Sequence, residues 1–78
     1  NKYPQTLKNI KIDKTLQENF VNVVINEAIK KYSDNNARLI IRKSGTENCI
    51  RVMVEAENIL TVESLSTEVS NFISKKLK

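Results

Sequence analysis

Along residues 6–12 the apolar Ile10 and Ile12 alternate with Asn9 and Lys11, the two-residue period of a strand with one buried and one wet face. Asp13, Lys14 and Thr15 end that strand. From about residue 16 to 32, Val21, Val24, Ile25, Ala28, Ile29 and Tyr32 recur at helical steps, the stripe of an amphipathic helix laid on a sheet. Ser33, Asp34, Asn35 and Asn36 then supply short polar side chains that bond to nearby backbone and favour a turn. Residues 38–43 and 50–56 are rich in Ile and Val and predict two antiparallel strands, joined by an exposed loop at Ser44, Gly45, Thr46, Glu47 and Asn48. A second helical stripe runs through Val62, Leu65, Val69, Phe72 and Ile73 to Lys75 and Lys76. Thr61 is its expected N-cap, with Glu63 in the first turn.

The order strand, helix, strand, strand, helix predicts an α+β fold. Its sheet would be antiparallel or mixed, with both helices on one face. At 78 residues the chain fits a single domain over 1–78, because a fold of this size buries only about 60% of the surface its unfolded chain exposes. With 40% hydrophobic and 28% charged residues, and Gly and Pro once each, the composition is that of a folded unit rather than a linker.

No apolar run approaches the roughly eighteen residues of a membrane span, and the N-terminus lacks the order of a signal peptide. The expectation is a soluble, unexported chain in a reducing cytoplasm. A start at Asn1 followed by Tyr3, Pro4 and Gln5 suggests a piece of a longer protein. The lone Cys49 has no internal disulfide partner, and without His a zinc site of Cys and His is excluded. No metal ligands or catalytic residues are assigned within this chain.

The formal charge of +4 is concentrated. Residues 38–51 hold Arg38, Arg42, Lys43 and Arg51 against Glu47, whereas residues 52–74 hold Glu55, Glu57, Glu63 and Glu68 with no basic residue. An anion bound at one spot fits this distribution better than a nucleic acid spread over a surface. A nucleic-acid module of the small αβ type would also need aromatic side chains on its strands. Phe20, Tyr32 and Phe72 fall instead on helical stripes, and only Tyr3 is left.

In an antiparallel hairpin Arg42 and Arg51 flank the mouth of the loop. Ser44 and Thr46 offer hydroxyls inside it, and Gly45 allows backbone N–H groups to turn inward as an anion nest. Phosphate is the natural occupant, since guanidinium forks match its oxygens in charge-assisted bonds of roughly 1.5–3 kcal/mol each. On residue types alone, a phosphate site and a solvated turn with charged flanks fit equally well. Glu47, between two guanidiniums, is expected to stay ionised and orient one of them rather than act as a base.

Arg42, Lys43, Ser44, Gly45, Thr46 and Glu47, followed by Arg51, Val52, Met53, Val54 and Glu55, resemble the C-terminal signature of the phosphoglucosamine mutases within the phosphohexomutase superfamily. Tyr3, Pro4 and Gln5 and the strand after them also match, so the likeness runs from about residue 3 to 77. It implies the fourth domain of a cytoplasmic enzyme that interconverts glucosamine 6-phosphate and glucosamine 1-phosphate for cell-wall precursors. The implied fold is similar to the TATA-binding-protein half, an antiparallel sheet backed by two helices. In such enzymes a phosphoserine and a magnesium ion, both held by other domains, carry the transfer. The fourth domain binds the phosphate that does not move, and Arg42, Ser44, Gly45 and Thr46 match that role. Arg51 joins them from hairpin geometry. The implied partners are a hexosamine phosphate and the remaining domains; a phosphoglucomutase or phosphomannomutase relative is the alternative. Members commonly carry proline where this chain has Lys43 and Asn48, which predicts a loop less restrained before binding.

Overall fold

The most apolar strand takes the centre of the sheet. The elements are β1 (Gln5–Lys11), α1 (Glu18–Tyr32), β2 (Ala37–Lys43), β3 (Cys49–Ala56) and α2 (Ile59–Leu77), and the strands are ordered β1-β3-β2. The computed structural model describes residues 3–13, 15–33, 36–44 and 48–77. Both pairings are antiparallel, which settles the antiparallel-or-mixed alternative. The α+β architecture, with both helices on one face, is as the residue pattern predicts.

β3 alternates strictly from Ile50 onward. Ile50, Val52, Val54 and Ala56 are buried, whereas Arg51 is exposed and Met53 and Glu55 are half-buried. The buried set meets Val21, Val24, Ile25 and Ala28 of α1 and Val62, Val69 and Ile73 of α2 in one core. α2 lies over β3 and β1, and α1 lies over β2 and against α2. Each Val or Ile among them taken fully out of water contributes about 1.5–3 kcal/mol. An edge-to-face contact between Tyr32 and Phe72, ring centroids 5.7 Å apart, joins the two helices.

Three expectations are corrected. α2 begins at Ile59 rather than after Thr61, and its cap is Asn58, whose Oδ1 accepts the Leu60 N–H at 2.8 Å. Glu63 consequently lies beyond the first turn, which holds no acidic residue. Ile29 is 37% and Phe20 45% exposed, because at about 100° per residue each falls roughly 90° to one side of the Val21, Val24, Ile25 and Ala28 stripe. Ser66, which no hydrophobic pattern flags, is fully buried within the α2 stripe.

Candidate functional site

The open face of the sheet is built by parity. In β2, Arg38, Ile40 and Arg42 share one side. They face Glu55, Met53 and Arg51 of β3 in register. On the far side of β3 the same residues face Gln5, Leu7 and Asn9 of β1. The face is therefore a set of transverse rungs, polar at both ends and apolar at Ile40, Met53 and Leu7. Its strands carry no aromatic residue.

At the loop end of this face Arg42 stands directly opposite Arg51, and both are exposed. The Ser44 N–H donates to the Cys49 carbonyl at 2.9 Å and closes the hairpin. Counting back by the antiparallel alternation makes Arg42 and Arg51 a hydrogen-bonded pair, with Cα atoms about 5.5 Å apart. Among the described residues neither guanidinium has an ion-pair partner. Like charges directly opposite each other across strands are destabilising. The hairpin thus holds two cations together with no protein anion described to offset them.

Ser44 is half-buried at the mouth of the loop. Gly45, Thr46 and Glu47 lie outside the described residues, so the anion nest and the guanidinium-orienting carboxylate expected there are not described. Asn48 accepts the Ile12 N–H at 2.8 Å through its carbonyl, which ties the exit of β1 to the exit of the loop. Next to that tie, the Asp13 carboxylate accepts the Thr15 N–H at 2.9 Å and the Thr15 hydroxyl at 2.8 Å. Those two bonds, the backbone one first, hold its pKa below the ordinary aspartate value. Cys49 is buried beside the loop.

A cleft of about 890 Å³ lies at the other end of the sheet, between Tyr3, Arg38, Glu55 and Asn58. Arg42 and Arg51, at the opposite end of the sheet, are both exposed. Among the described residues no three Asp, Glu, Cys or His side chains converge as metal ligands. No helix among them is long and apolar enough to cross a membrane.

A sequence profile described as phosphoglucomutase/phosphomannomutase, C-terminal domain, matches residues 5–71. The chain is 40% identical over 79 residues to a phosphoglucosamine mutase of Fusobacterium nucleatum subsp. nucleatum, covering 95% of this chain and 17% of that protein. A phosphoglucosamine mutase of Thermodesulfovibrio yellowstonii is 49% identical over 61 residues, covering 73% and 14%. Among solved structures, Aspergillus fumigatus N-acetylphosphoglucosamine mutase, in complex with GlcNAc-6P and magnesium, superposes with a TM-score of 0.67. The match has 22% identity and covers 97% of this chain and 16% of that one; it supports the fold. The chain thus spans about 17% of the length of a curated relative such as the first.

Proposed function

The chain belongs to the family of phosphoglucomutase/phosphomannomutase C-terminal domains, and from that membership we propose that its β2–β3 loop grips the phosphate of a hexosamine phosphate within a larger phosphoglucosamine mutase. The observation that carries this reading is the facing pair Arg42 and Arg51. A phosphate dianion between the two forks turns a repulsive rung into two charge-assisted contacts. Ser44, Gly45 and Thr46 complete the clasp in this reading, with a hydroxyl at each end and glycine between them.

The role is positional. A mutase that passes through a bisphosphate must hold its sugar in two opposite orientations, and the phosphate is what both orientations share. Holding the phosphate that is not transferred converts a two-body encounter into an aligned one, and closing the domain over the substrate excludes water from the reacting end. Sugar selectivity and the transfer itself fall to the rest of the enzyme, which works in the cytoplasm. Magnesium, in this reading, is held by another domain of the enzyme.

Amide resonances of the 78-residue chain, followed by NMR during titration with inorganic phosphate or glucosamine 6-phosphate, test the reading. Shifts are expected at residues 42–51, with an affinity near millimolar, about 4 kcal/mol, and Arg42→Ala should abolish them. Shifts confined to another surface would overturn it. A coupled assay for hexose phosphate isomerisation by this chain alone, with magnesium and bisphosphate supplied, is expected to show no turnover above background. Reproducible turnover would contradict the assignment of catalysis to other domains.

A further inference from the structure

We propose that the anion site crosses onto the third strand: when phosphate is bound, Asn9 of β1 bridges the Arg51 guanidinium and the anion, and Lys11 presents a third positive charge to that phosphate. This rests on the reading of the β2–β3 loop as a phosphate clasp, and it adds residues more than thirty positions away in sequence that no hairpin argument reaches.

The backbone pairing carries it. Asn9 faces Arg51 in register, and Arg51 in turn faces Arg42. The bond from Ile12 N–H to the Asn48 carbonyl sets the phase of the β1–β3 ladder. By alternation from it, Asn9 and Arg51 form a non-hydrogen-bonded pair, the class in which Cα atoms approach to about 4.5 Å and side chains lie closest. The three residues make one rung across the whole sheet, and all three are exposed.

Asparagine suits this place chemically. Its carbonyl oxygen accepts from a guanidinium while its amide nitrogen donates to a phosphate oxygen, and it adds no charge to a rung that already holds two cations. Aspartate would neutralise Arg51; lysine would add repulsion. Among the described residues the Asn9 side chain makes no hydrogen bond, to Arg51 or to any other residue, so its contact with the guanidinium forms with the anion in place.

Lys11 is the next residue of β1 on the same face, about 7 Å nearer the loop. It is exposed and in register with Cys49, the first residue of β3. The tie between Ile12 and Asn48 holds that end of β1 against the loop, so the lysine is placed by backbone and not by chance. Lys8 is the internal contrast. It has the same charge on the same strand, but the opposite parity, shared with Thr6 and Ile10.

The test is the phosphate titration repeated on single variants of the 78-residue chain. Asn9→Ala is expected to weaken phosphate binding about threefold to tenfold and to move the Arg51 Nε–H resonance. The nearly isosteric Asn9→Asp, which keeps the strand's shape, should weaken binding at least as much. Lys11→Gln should weaken it about threefold and lower its salt dependence, while Lys8→Gln, equal in net charge, should change it by less than about 1.5-fold. Equal effects of Lys8→Gln and Lys11→Gln would reduce Lys11 to bulk charge and overturn its part. Unchanged binding and an unmoved Arg51 resonance in both Asn9 variants would overturn the rest. Arg42→Ala separates the two levels. If it abolishes binding while the β1 variants do nothing, only this inference fails; if it too does nothing, the phosphate clasp fails with it.

Discussion

Two rungs of the same hairpin, on the same face and four residues apart along β2, treat charge in opposite ways. At one end Arg38 faces Glu55; at the loop end Arg42 faces Arg51. The strands, their pairing class and the solvent are common to both, so the fold itself does not require the difference. Opposite charges facing each other across strands contribute roughly 0.2–1 kcal/mol, and like charges directly opposite are unfavourable. The first rung is what a sheet does for its own stability. The second opposes it, and such local conflicts between stability and sequence concentrate at functional places. The apolar rung of Leu7, Met53 and Ile40 separates them.

Converting one rung into the other gives the largest expected effect. Arg51→Glu makes the loop end resemble the Arg38–Glu55 end. It should lower phosphate affinity by more than about tenfold while raising stability without phosphate by about 0.2–1 kcal/mol in urea unfolding at low salt. In the unmodified chain, phosphate at ten times its Kd should add about 1.4 kcal/mol; in the variant that gain should vanish. The mirror change, Glu55→Arg, creates a second like-charged rung and should cost a similar fraction of a kcal/mol. It should gain no measurable phosphate binding, because no Ser, Gly and Thr turn adjoins it. Phosphate binding at the new rung equal to that at Arg42 and Arg51 would show that paired charge suffices and that the loop contributes nothing.

The two ends also differ in how much of them the sequence disclosed. Arg42 and Arg51 were legible because a hairpin is local: once two strands flank a short loop, their facing residues follow by counting. The Arg38–Glu55 rung follows from the same count extended outward. Asn9 was not legible, since the pairing of β1 with β3 spans about forty residues and no local period encodes it. The cap of α2 escapes the residue pattern for another reason. Ile59 and Leu60 are 47% and 72% exposed, so they contribute nothing to the buried stripe from which the helix start was read. The polar Asn58 before them, and not Thr61 within the helix, supplies the first acceptor. Ser66 escapes because a small polar residue buried within the α2 stripe leaves no hydrophobic signal.

The smallest expected effect belongs to the turn that leaves β1 beside the loop. Asp13 is an exposed carboxylate whose charged form is favoured by bonds from the Thr15 N–H and hydroxyl. Its folded pKa therefore lies below the unfolded value of about 3.9. The group's contribution is fully present above the unfolded pKa and disappears as pH falls through the folded one. Between neutral pH and about pH 5 the turn should be unchanged. Below that, the Thr15 amide resonance should titrate with the Asp13 carboxyl carbon at one shared midpoint, lower than that of an aspartate in an unfolded peptide. Hydrogen exchange at Ile12, tied to Asn48, should quicken over the same range, relative to the rate expected for its amide at each pH, while exchange at Val54 in the core does not. A Thr15 amide that ignores the Asp13 titration, or a midpoint at or above the unfolded value, would show that these bonds do not hold the turn. The loop end would then owe its placement to the β1–β3 ladder alone.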